Sequence, residues 1–187
     1  MATEIQESVL STKLARMHKL LDADGNGEIS EADLTIIPNH LAATFGQPAD
    51  GPKAERLRKA LTVIWTRHLA KMDKNGNGEI DLKEYESGIR QSIATDRQRI
   101  LADSIEVAAA LLSLCDTDDN GVVDRGEYRK ILDVVFGLPT DASDAAFARL
   151  DLNGDGTIEP QEFESAFADY FISEDPEANG NWLFGPL

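Results

Sequence analysis

The chain of 187 residues sets 34 acidic against 18 basic side chains, a formal charge of −16, and its 42% hydrophobic content is enough for a real core. That charge repels phosphate backbones and anionic lipid heads, so neither nucleic acid nor a membrane is expected as a partner. One cysteine, Cys115, excludes an intramolecular disulfide; it ends the apolar run 107–115, a buried helix segment too short to span a bilayer, and reads as a small buried hydrophobe. The opening "MATEIQESVL" has neither the basic nor the apolar region of a secretory signal, and Ala2 stands where myristoylation needs glycine, so a cytoplasmic protein is expected.

Thr3 or Ser8 caps a first helix carrying Val9, Leu10, Leu14, Met17 and Leu21, with Ile5 included if it starts early. It leads into "DADGNGEISEAD" from Asp22 to Asp33. The next stretch, "IIPNHLAATFGQPADGP", continues an exit helix that Pro38 should kink and that Gly46 to Pro52 should end. Leu57, Leu61, Ile64, Trp65, Leu69 and Met72 form the apolar stripe of a helix entering "DKNGNGEIDLKE" from Asp73. The run through Cys115 enters "DTDDNGVVDRGE" from Asp116, followed by a stripe of Tyr128, Ile131, Leu132, Val135 and Phe136. Last comes "DLNGDGTIEPQE" from Asp151, with Pro160 in the first turn of a helix bearing Phe163, Phe167, Tyr170 and Phe171. These aromatic stripes are core first.

The four quoted stretches share one twelve-residue pattern: Asp at position 1, Asp or Asn at 3 and 5, Gly at 6, an aliphatic residue at 8 and an acid at 12. It is the EF-hand calcium-loop pattern. Calcium is a hard cation that takes six to eight oxygens, and a loop of this length presents alternate side chains inward. The candidate ligands are Asp22, Asp24, Asn26, Glu28, Ser30 and Asp33 in the first loop and Asp73, Asn75, Asn77, Glu79, Asp81 and Glu84 in the second. The third offers Asp116, Asp118, Asn120, Val122, Asp124 and Glu127, the fourth Asp151, Asn153, Asp155, Thr157, Glu159 and Glu162. At position 7 (Glu28, Glu79, Val122, Thr157) the backbone carbonyl is the expected ligand, which is why the side chain there varies. The β-branched Ile29, Ile80, Val123 and Ile158 at position 8 predict a short two-strand ladder between the first and second loops and another between the third and fourth. Position 9 stands three residues before the closing acid, the spacing of a capping box that starts each exit helix.

Positions 1, 3, 5, 9 and 12 carry three, three, four and four acids from first loop to last, so the acidity is largely site chemistry. Four divalent ions would take −16 to −8, and binding should tighten a chain that otherwise repels itself. Three loops close with Glu, able to grip with both oxygens; the first closes with Asp33, one methylene shorter. Asp33 reaches with one oxygen or draws the exit helix inward, and the first site is expected to be weaker for calcium or tolerant of magnesium. His18, His40 and His68 form no transition-metal pattern, and no nucleophile and base arrangement or phosphate-cradling glycine loop stands outside the metal loops, so an enzyme is not expected.

The loops place the chain in resemblance to the calmodulin superfamily. Between them lie 39, 31 and 23 residues, and the wide first gap together with the tail "DPEANGNWLFG" resembles the sarcoplasmic calcium-binding proteins, with calexcitin and calerythrin. That resemblance implies an all-α globule of two EF-hand pairs that buffers Ca2+ and Mg2+, with residues 1–94 as the first pair, 95–171 as the second, and 172–187 as an apolar tail docking on the core. A monomer without a named protein partner is expected. Only Met17 and Met72 accompany the initiator methionine, unlike the methionine-rich surface of a target-binding sensor. Trp182, Leu183 and Phe184 are expected to fold back into the apolar cup, with "DPEANGN" as the turn. Two alternatives stay open: a sensor whose tail is displaced by a partner, and a coelenterazine-type photoprotein, less similar because its second loop does not bind calcium.

Overall fold

The computed structural model describes residues 8–187, without the side chain of Val135; Thr3 and Ile5 lie outside the described residues. Helix α1 spans Val9–Leu21 and is capped by Ser8, whose Oγ accepts from the Ser11 amide at 3.1 Å. Its buried stripe is Leu10, Leu14 and Met17, the spacing of one helical face. Helix α2 spans Glu31–Phe45 and runs through Pro38 unbroken, forgoing the amide that would have reached the Leu34 carbonyl. Gly46, at φ 68°, ends it as a left-handed cap, and the Gln47 amide turns back to the Ala42 carbonyl at 2.8 Å.

Helix α3 spans Pro52–Arg67 and stops short of the second loop. His68 leaves helical geometry, and a single 3₁₀ turn, Leu69–Lys71, completes the approach. The expected stripe therefore lies on two elements, because His68 turns to meet the Asp103 carboxylate at 2.8 Å while Leu69 and Met72 stay buried. Helix α4 spans Leu82–Cys115, its 34 residues broken at Asp96 (φ −148°, ψ 53°). Its first half leaves the second loop and its second half enters the third. Cys115 is fully buried, and burial pushes its thiol well above the ordinary range.

Strand β1 (Val123–Asp124) leads into α5 (Arg125–Phe136); α6 (Thr140–Leu150), β2 (Thr157–Ile158) and α7 (Pro160–Ile172) follow, and a 3₁₀ turn covers Asn179–Trp182. β1 and β2 pair antiparallel with Val123 opposite Ile158. Ile29 and Ile80 exchange backbone bonds at 2.9 Å in both directions. Loops therefore pair first with second and third with fourth, as position 8 predicts. The four position 8 side chains are no more than 2% exposed, so each ladder is also a plug of core. Helix α1 packs on both α4 and α7, and one apolar cluster runs through the four hands.

The last residues close over this cluster. Leu183 and Phe184 are buried, and Phe184 stacks on Phe136 at 5.3 Å and meets Tyr170 edge-on at 5.1 Å. Trp182 follows the expectation only in part: it packs against the core cluster but stays half-buried, with the Arg149 guanidinium 5.2 Å from its ring centroid. Asn181, 2% exposed, holds the turn by donating to the carbonyls of Asp175 and Pro176 at 2.8 and 2.9 Å. Its Oδ1 accepts from Lys13 Nζ at 3.0 Å.

Candidate metal centres

In each loop the position 12 carboxylate bridges back to the loop's own beginning. Glu84 Oε1 accepts from the amides of Lys74 and Asn75 at 2.9 and 3.2 Å, and its other oxygen from Asp81 at 3.3 Å. Glu127 accepts from the Thr117 amide and hydroxyl and from the Asp124 amide; Glu162 accepts from Leu152, Asn153 and Glu159. Position 1 turns inward as well: Asp22, Asp73, Asp116 and Asp151 each accept from the position 6 glycine amide at 2.9 to 3.0 Å. The capping boxes at Ser30, Asp81, Asp124 and Glu159 place position 9 on the rim of the same ring.

Asp33 does with a shorter arm what the glutamates do. Its Oδ1 accepts from the Ala23 and Asp24 amides at 3.0 and 3.1 Å, its Oδ2 from the Ser30 amide and hydroxyl at 2.8 and 2.7 Å. Both oxygens are engaged by the loop's own donors, and the side chain is fully buried. Burial pushes the Asp33 carboxyl up, but the four donors outweigh it and hold it below the usual carboxylate range.

Carboxylates converge in two loops. One oxygen each of Asp22, Asp24 and Asp33 lie within 4.8 Å of one another, and so do those of Asp116, Asp118 and Glu127. Like charges gathered this closely repel, and a divalent cation is the natural counter-charge. The second and fourth loops carry Asn75 and Asn153 at position 3, where the first and third carry Asp24 and Asp118, so the carboxylate trio of positions 1, 3 and 12 is not formed there. The donors throughout are carboxylate, amide and carbonyl oxygens, the hard set that suits calcium and magnesium. Across the first ladder the Glu28 carboxyl is held above its usual range by hydrogen bonding to Glu79, then by desolvation, then by repulsion from Glu79, Asp81 and Glu84.

Two features of the third loop went unread in the sequence. Position 4 is left-handed in all four loops, with φ 75° at Gly25, 77° at Gly76 and 73° at Gly154, whereas the third loop holds Asp119 at φ 60°. Aspartate is among the few side chains that tolerate this region. Lys53, from α3 of the other pair, forms an ion pair with Asp119 and donates to the Asp116 carbonyl at 2.6 Å. Gly at position 4 in three loops was the available signal for the backbone requirement; nothing local pointed to Lys53.

A family model described as EF hand matches residues 67–89 and 144–168, which contain the second and fourth loops. The chain is an EF-hand protein of the calmodulin superfamily. This EF-hand protein binds calcium. It is 22% identical over 167 residues to calerythrin of Saccharopolyspora erythraea, covering 87% of this chain and 92% of that one. Its fold resembles that of a Streptomyces coelicolor calcium-binding protein described in terms of prokaryotic calcium-mediated regulation, with TM-score 0.73, 28% identity, and coverage of 87% and 97%. The calcium-loaded apo coelenterazine-binding protein of Renilla muelleri shares the fold at TM-score 0.70 and 23% identity over 99% of both chains.

Proposed function

We propose that this EF-hand protein is an intracellular buffer of calcium that also accepts magnesium, and that its ligands are positions 1, 3, 5, 7, 9 and 12 of the four loops, the seventh through its carbonyl. A bound divalent ion supplies the positive charge that the clustered carboxylates lack; the chain holds the oxygens in place and pairs the loops. The observation that carries the buffer reading is Phe184 in its aromatic nest. The face that a target-binding relative must present is already filled by the chain's own last residues, with Arg16 and Lys13 fastening them. The short arm of Asp33 favours compact six-fold coordination and supports magnesium at the first site.

A specific observation favours a second reading, the sensor. An apolar cavity of about 300 Å³ remains between the two halves, and Ile36 and Val134 on its wall are 41% and 49% exposed. A partner's apolar side chains could enter there if calcium widened it. Calorimetric calcium titration with and without magnesium, followed in parallel by tryptophan fluorescence and an apolar-surface dye, separates the two. Magnesium competition with falling dye binding supports the buffer. Rising dye binding with Trp182 moving into water supports the sensor, and light emission on adding coelenterazine would replace both.

A further inference from the structure

Eleven of the eighteen basic residues fall between Lys53 and Arg99, and four of them gather around one concavity. A polar hollow of about 240 Å³, roughly eight water volumes, lies where the turn before the second loop meets the break in α4. Arg67, Lys71, Lys74 and Arg99 line it, with Ser92 and Thr95 between them. Only one acid, Asp96, stands on the wall. Arg67 is paired with Asp103, which also holds His68. Lys71, Lys74 and Arg99 have no ion-pair partner among the described residues.

Lys71, Lys74 and Arg99, gathered around one hollow beside the already paired Arg67, repel each other, and in this protein acids to neutralise them were abundant. We propose that the hollow is a binding site for a phosphate-class dianion, either a free phosphomonoester or a phosphomonoester lipid head. The Arg99 guanidinium offers paired N–H donors that match phosphate oxygens, Arg67 adds the donors that Asp103 leaves unused, the lysines add point charge, and the Ser92 hydroxyl supplies a neutral donor, the Thr95 hydroxyl being committed to the Gln91 carbonyl at 2.8 Å. The volume exceeds what an inorganic ion needs and leaves room for the organic part of an ester.

The hollow adjoins the second calcium loop. Met72, on its wall, immediately precedes Asp73, and Lys74 is the second residue of that loop. Resting on the calcium reading of that loop, the two sites are linked: an ion there offsets the charge of Asp73, Asp81 and Glu84 and strengthens the anion's hold, and the anion strengthens the ion's hold by the same factor.

The test uses the full chain and phenyl phosphate, followed by amide chemical shifts, first in chelator and then with calcium. Saturable binding that shifts Ser92, Thr95 and Arg99, weakened about tenfold or more in Lys71→Gln/Arg99→Gln and unchanged in Lys59→Gln, supports the site. Absence of saturable binding of the ester together with absence of flotation in the vesicle arm below, or binding in either arm that the double variant leaves unchanged, overturns it. Phosphatidylcholine vesicles doped with phosphatidic acid, in chelator, form the second arm: flotation lost in the double variant, without binding of the free ester, assigns the lipid source. Anion binding that calcium does not tighten, in a chain whose calorimetry shows the second loop filled, overturns the linkage and leaves the anion site standing. An empty second loop would instead sink the calcium reading.

Discussion

Arg16 Nη1 donates to the Gly185 carbonyl at 3.0 Å, tying the first helix to the end of the chain. The same guanidinium reaches the carbonyls of Phe184 at 3.2 Å and Pro186 at 2.6 Å, and one turn earlier Lys13 Nζ reaches those of Ser173 and Asp169 at 2.8 and 3.4 Å. The Tyr128 hydroxyl adds a bond to the Leu183 carbonyl at 2.8 Å. Backbone carbonyls of the tail are thus satisfied by side chains of the core, which lets a short non-helical segment be buried without leaving orphaned acceptors.

Gly180→Ala tests how closely the tail is seated. A Cβ there would stand 2.6 Å from the Ala166 carbonyl oxygen and 2.7 Å from the Tyr170 nitrogen, both backbone of α7 and unable to yield cheaply. The substitution should cost about 1–3 kcal/mol and raise dye binding, whereas Phe184→Ala should cost about 3–5 kcal/mol. Thermal melts of the calcium-loaded protein check both. Melting of Gly180→Ala at the parent temperature would show that the tail contributes little.

Asp33→Glu tests the first site. With both oxygens already seated, an added methylene has no free space to enter and must push α2 outward, relaxing the compact geometry that suits magnesium. The first site should shift its preference toward calcium by about tenfold, read as the loss of magnesium competition for one site in calorimetry.

Glu84→Gln tests coupling between loops. Ile29 and Ile80 share a two-bond bridge, so loosening the second loop should lower the affinity of the first, within the about 5–150-fold range of coupled sites. The third and fourth sites, on a ladder of their own, should change little. Equal weakening of all four would mean that the core as a whole, and not the ladder, carries the coupling.

Arg129 grips Asp144 with two bonds of 2.6 Å, joining α5 to α6 beside the second loop pair. The Arg129 bond, ahead of the opposing desolvation, holds the Asp144 carboxyl below the usual range. A carboxylate with a depressed folded value contributes stability that is full above its unfolded value, about 3.9, and is lost as pH falls through the folded one. Acid denaturation of Asp144→Asn in chelator should therefore show a shallower loss of stability below about pH 4 than the parent. Superimposable acid limbs would remove the pair from the account.

Most of the architecture was legible because EF-hand requirements are local. Ligand spacing, the position 6 turn, the capping box at positions 9 and 12 and the pairing of β-branched position 8 residues each depend on a dozen contiguous residues. So do the Ser8 cap and the Gly46 stop. The break at His68, the bend at Asp96 and the half-burial of Trp182 were not legible; the first and last answer partners far away in the chain, Asp103 for His68 and Arg149 for Trp182. For the bend at Asp96 no single contact accounts.

The sequence by itself determined that four oxygen-rich loops pair two by two and bind a hard divalent cation, because coordination chemistry is written at fixed short spacing. Only the tertiary structure decided that Asp33 closes its loop with both oxygens, that Lys53 braces the third loop from another hand, and that Trp182 stops half-buried beneath Arg149. These depend on where helix axes come to rest, which the packing of one shared core settles over the whole chain at once.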